Sequence, residues 1–126
     1  MKFDMNHIHI KAEDPRRTAQ WYVEKFGATV AGEAEMAGTL TVRTDLGGAR
    51  VNITQASLES LPAGSSDPHM GLEHFGIETE DIDAAMAELE GKGVKVLEAI
   101  RPLPNGMRIA FVEAPDNVRV EIMQLP

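Results

Sequence analysis

His7, His9 and His74 open or flank short apolar stretches, and Glu121 is a lone acid inside "VRVEIMQ". Two imidazoles and one carboxylate converging on a point form a facial set of metal ligands. Such a set suits Fe(II), Mn(II), Co(II), Ni(II) or Zn(II) and leaves positions open for water or substrate. The sequence contains no cysteine. That excludes thiolate ligands, thiol nucleophiles and disulfides, and leaves imidazole, carboxylate and neutral oxygen as donors. His7, His74 and Glu121 are the candidate ligands. His9 follows His7 by two residues, so a regular strand points both rings to one face. There it is a candidate acid-base group that titrates near neutral pH, although a half-buried polar residue with no chemical role fits it as well.

Elements that would position these residues are written twice. "HIHIKAEDPRRTAQWYVEKFGATV" (7–30) reads as strand, turn, helix, strand: Asp14 is an N-cap candidate, Pro15 takes the first helical position, Trp21, Tyr22 and Phe26 recur at helical period, and Gly27 ends the helix. "HFGIETEDIDAAMAELEGKGVKV" (74–96) repeats the pattern, with Asp81 before Ile82, Met86 and Leu89, and Gly93 closing. His7 and His74, like Asp14 and Asp81, are 67 residues apart, while "GGARVNITQ" (47–55) matches "DNVRVEIMQ" (116–124) at an offset of 69. These offsets predict two copies of a βαβββ unit. Each copy should end in a hairpin, turning at Asp45-Leu46-Gly47-Gly48 in the first and at Pro115-Asp116-Asn117 in the second. Segments 31–38 and 97–106 carry no clear signal.

Alternation along the last strand puts Arg119, Glu121 and Met123 on one face and Val118, Val120 and Ile122 on the other, with Arg50, Asn52 and Thr54 as the first copy's counterparts. Asn52 could add a neutral oxygen to a metal or stand behind it, and Arg50, Arg119 and Met123 are further pocket candidates. The expected fold class is α+β: two tandem βαβββ modules forming a cup-shaped, mostly antiparallel sheet around a metal site. One domain spans 1–126, with module 1 about 1–56, a Pro-, Gly- and Ser-rich linker about 57–70, and module 2 about 71–126. The linker could bend back or cross to a partner chain.

At 126 residues, the chain can bury one core and is too short for two independent ones. A formal charge of -8 argues against nucleic acid or an anionic membrane as partner and leaves a small molecule or a protein. The sequence offers no membrane-span candidate, so the expected setting is cytoplasmic. His69 reads as a solvated loop residue, Trp21 and Tyr22 as core, and "ETEDIDAAMAELE" as a helix start and solvated face rather than a calcium loop.

Three stretches, "NHIHIKAEDPRRTAQWYVEKFGATV", "GLEHFGIETEDIDAAMAELEGKGVKV" and "AFVEAPDNVRVEIMQ", in this order and spacing, resemble the vicinal oxygen chelate superfamily. That superfamily includes glyoxalases, bleomycin-binding proteins, fosfomycin-modifying enzymes, methylmalonyl-CoA epimerases and extradiol dioxygenases. The resemblance covers essentially the whole chain. It implies His7, His74 and Glu121 as metal ligands, with Glu121 ligand only or alternately ligand and base, and it implies a homodimer. Position 52, where glyoxalases usually have Glu and epimerases Gln, is Asn52, a short amide that cannot shuttle a proton. The implied activity is that of a glyoxalase-like lyase or isomerase acting on a small oxygenated molecule chelated to a divalent metal. The alternatives are an Fe(II) extradiol-type dioxygenase and a non-catalytic, bleomycin-resistance-like drug-binding protein.

Overall fold

A computed structural model describes residues 1–126, the side chain of Met36 excepted. The chain divides into two compact units, Met1–Pro62 and Ala63–Pro126. In the first, β1 (Ile8–Ala12) leads into α1 (Pro15–Phe26). The Asp14 carboxylate accepts a hydrogen bond from the Arg17 N–H at 3.1 Å and so satisfies one of the orphan donors of the first turn. Gly27 ends the helix in the left-handed region at φ 70°, where glycine carries no Cβ penalty.

Three strands follow: β2 (Thr29–Met36), β3 (Thr39–Leu46) and β4 (Ala49–Gln55). Gly47 and Gly48, with φ of 59° and 91°, make the tight β3–β4 turn, and the Gly48 N–H is held by the Asp45 carboxylate at 3.0 Å. Sheet order is β1-β4-β3-β2, with β1 parallel to β4 and the other pairs antiparallel.

The second unit repeats this plan with β5 (His74–Glu78), α2 (Ile82–Gly91), β6 (Lys95–Pro102), β7 (Arg108–Ala114) and β8 (Val118–Gln124), in sheet order β5-β8-β7-β6. Asp81 caps α2 by accepting from the Ala84 N–H at 3.0 Å. Alternation sorts the strand residues. Val42, Val51 and Ile53 are buried with Tyr22 of α1 in the first unit, and Val112, Val120 and Ile122 with Ile82, Met86 and Leu89 of α2 in the second; all are 4% exposed or less. Burying a side chain of this kind contributes about 1.5–3 kcal/mol, so these layers fix which face each strand turns to its helix. Arg50, Asn52, Arg119, Glu121 and Met123 fall on the opposite faces. The α+β class and the two βαβββ units are as the sequence predicts, and the unassigned segments form most of β2 and β6. Among the described residues, no helix is long and apolar enough to cross a membrane.

Candidate functional site

Each strand pair that begins and ends a unit carries the candidate residues. In the second unit β5 runs parallel to β8, with His74 opposite Arg119 and Gly76 opposite Glu121. His74 Nε2 lies 3.2 Å from Glu121 Oε2, with the two side chains 32% and 17% exposed. On its other side, His74 Nδ1 lies 2.9 Å from Glu73 Oε1. Phe111 of β7, opposite Glu121 in register, packs edge-on against the His74 ring at 5.2 Å between centroids. Gly76 lies against this pair: a Cβ there would stand 3.4 Å from both Glu121 Oε2 and Met123 Sδ, in van der Waals contact with each.

Behind this pair lies Arg119, 6% exposed. Its guanidinium donates to the Ser66 carbonyl at 3.0 Å and to Glu98, sits 4.1 Å above the Phe111 ring, and brings Nε to 3.5 Å from Glu73 Oε1. A buried guanidinium needs such partners, because an uncompensated buried charge is costly. The hydrogen bond from His74 holds the Glu73 carboxyl below its ordinary value of 4.5 against an opposing desolvation, with the charges of His74, Arg119 and His69 acting in the same direction as the bond.

The first unit presents a different surface at the equivalent points. His7 precedes β1, is exposed, and holds Nδ1 2.8 Å from the Asn6 side-chain oxygen. His9, on β1, is opposite Asn52 of β4, and the His7 and His9 rings are 5.9 Å apart. Burial first, then the charges of Lys11 and His7, push the His9 imidazole below its ordinary 6.5, toward the neutral form. The Asn52 Oδ1 is buried with no hydrogen-bond partner among the described residues. Arg50 is exposed at the start of β4, across from Asp45.

Set side by side, the units invert a pair. Where the second has Gly76 beside the long Glu121, the first has the long His9 beside the short Asn52.

The structure thus brings His74 and Glu121 together, places Arg119 and Met123 beside them, and brings His7 near His9. Within either unit, no group of three or more His, Asp or Glu side chains among the described residues is arranged to hold a metal ion. The donor chemistry nevertheless fits one. His74 Nε2 and Glu121 Oε2 face each other, and the carboxylate on Nδ1 is the partner that histidine ligands characteristically have. Glu73, Glu98, Phe111 and Gly76 are not predicted from the sequence. Glu73 adjoins His74, and strand alternation would send neighbours to opposite faces, but β5 begins only at His74. Adjacency in "LEHF" is the one sequence signal for it.

The chain is similar to several known proteins. The protein YwkD of Bacillus subtilis (strain 168), itself uncharacterized, is 31% identical over 124 residues, covering 95% of both chains. A protein of Brassica oleracea var. gemmifera, named provisionally a lactoylglutathione lyase, is 29% identical over 121 residues, which are 94% of this chain and 43% of that one. The crystal structure of a glyoxalase family protein from Enterococcus faecalis superposes with a TM-score of 0.79 at 27% identity, covering 95% of this chain and 96% of the other. Residues 4–122 match the family model, and the chain belongs to the Glyoxalase/Bleomycin resistance protein/Dioxygenase superfamily.

Proposed function

We propose that the protein is a metal-dependent enzyme of this superfamily, a glyoxalase-like lyase or isomerase acting on a small oxygenated organic molecule, with His7, His74 and Glu121 as ligands of a divalent cation. The observation that carries this reading is the pairing of His74 Nε2 with Glu121 Oε2 at 3.2 Å. The Brassica relative's name points the same way. When bound, a divalent cation supplies Lewis-acid stabilisation of negative charge developing on a chelated oxygen.

The protein's own groups do the rest. Glu121, the carboxylate of β8 on this face, would alternate between ligand and base, taking a proton from the carbon beside the chelated oxygen and returning it to the product. Its partial burial limits the water that would compete for it. His9, pushed toward the neutral form chiefly by burial, is the first unit's candidate proton acceptor. Asn52 can donate or accept hydrogen bonds but cannot carry a proton. We also propose a homodimer, supported by the exposed Leu58, Leu61, Met70 and Leu72.

Solvent-proton exchange into small α-hydroxy carbonyl compounds tests the reading. The metal-loaded protein should catalyse exchange at the carbon beside the chelated oxygen. Glu121→Gln should lose at least about 100-fold in rate, the scale of a general base. Retention of full exchange activity by Glu121→Gln would refute the role of Glu121.

A further inference from the structure

We propose that Glu73, anchored by the buried Arg119, is the positioning residue that fixes the His74 ring so that Nε2, and not Nδ1, is presented to the metal; the inference rests on the metal reading above. Glu73 Oε1 is shared: His74 Nδ1 lies 2.9 Å from it and Arg119 Nε 3.5 Å. A carboxylate only accepts, so the His74 nitrogen facing it carries the hydrogen. With a divalent cation bound, Nε2 would be the nitrogen left to ligate, and Glu121 Oε2, 3.2 Å away, would be the second donor to the same ion. Reversal of the ring's tautomer would break the Glu73 bond and put an N–H where the metal should bind.

A purely electrostatic role for Glu73, as countercharge to Arg119, fits less well. Glu98 already pairs with the guanidinium directly, and the Ser66 carbonyl takes another of its hydrogens. Arg119 Nε, by contrast, is buried without a hydrogen bond of normal length, and its nearest carboxylate oxygen is the one that His74 holds more closely. The stronger of the two contacts of Glu73 therefore goes to the imidazole. Arg119 Nε, 3.5 Å from the same oxygen, helps to hold that carboxylate in place, and its own position is set by Phe111, Ser66 and Glu98. Partners of this kind typically change metal affinity 10–100-fold when removed.

The test is zinc titration of the full chain combined with long-range proton–nitrogen NMR of its imidazoles. In the wild-type zinc-loaded protein His74 should show a protonated Nδ1 and a metal-bound Nε2. Glu73→Gln should keep a dispersed, folded spectrum, yet bind zinc about 10–100-fold more weakly and show His74 as a mixture of ring states. Arg119→Lys, if folded, should move both readouts in the same direction by less. Wild-type affinity together with an unchanged His74 signature in Glu73→Gln would overturn the inference and leave the metal site standing. No zinc uptake by the wild-type protein would overturn the metal reading and this inference with it.

Discussion

At the residue scale the two units differ most at one pair of positions. Gly76 stands opposite Glu121 in the second, and the short Asn52 stands opposite His9 in the first. The buried Asn52 Oδ1 is left without a partner among the described residues. An unsatisfied buried acceptor costs roughly 1–3 kcal/mol, and removing it with an apolar residue of similar size relieves that cost. Asn52→Leu should therefore be neutral or raise unfolding stability by about 1 kcal/mol in a urea titration. A loss of more than about 1 kcal/mol would mean that the amide has a partner in solution. Glu121 is legible in the sequence because a single acid in an apolar, alternating strand stands out. Glu73 is not, because its position just ahead of the strand removes the periodicity that would place it. Gly76 acquires its meaning only from register, which pairs it with Glu121 across 45 residues of chain.

At the scale of elements, caps and hairpins are the legible parts. Asp14, Pro15 and Gly27 mark both ends of α1, Asp81 marks the start of α2, and the Gly47-Gly48 pair marks a turn that only positive φ can make. Strands β2 and β6 escape the sequence for a physical reason. The first contains Gly32 and Ala-Glu residues of weak β propensity and shifts register between Val30 and Gly32. The second shifts register between Val96 and Glu98 and again before Arg101, so period-two alternation breaks down along it.

The segment before β5 carries a pH-dependent element. His69 lies 2.8 Å from the Asp67 carbonyl through Nδ1 and 3.0 Å from the Leu72 carbonyl through Nε2. Only an imidazolium can donate to both. These backbone hydrogen bonds, the Asp67 one first, raise the His69 group above its ordinary 6.5. Because the folded value is raised, the contribution is fully present below 6.5 and is lost as pH rises through the folded value. Backbone relaxation of residues 67–72 should show a more ordered segment below 6.5 than well above it. Equal order on both sides, or a His69 titration at or below 6.5, would contradict this.

At the scale of the molecule, duplication sets the design. Both units have the same strand order and the same parallel pairing of first and last strands, so the repeat alone predicts where the site-bearing strands lie. The chemistry is less legible, because superfamily membership fixes the scaffold while side chains on the exposed sheet faces decide what it does. Association belongs to this scale too. Leu58, Leu61, Met70 and Leu72 are 43–96% exposed, and the proposed homodimer would cover apolar side chains of this kind. Light scattering should give a particle of about twice the 13.7 kDa chain, and Leu58→Asp combined with Leu61→Asp should shift it toward the monomer. A monomer at every accessible concentration would contradict the homodimer.

The central claim is that His74 and Glu121 form half or more of a divalent metal site. Elemental analysis of untagged protein after equilibration with zinc, nickel, cobalt, manganese or anaerobic iron tests it most directly. About one equivalent of a first-row metal per chain is expected, lost in His74→Ala and in Glu121→Gln and reduced in His7→Ala. Failure of the wild-type protein to retain any of these metals, or retention of a full equivalent by both His74→Ala and Glu121→Gln, would contradict it.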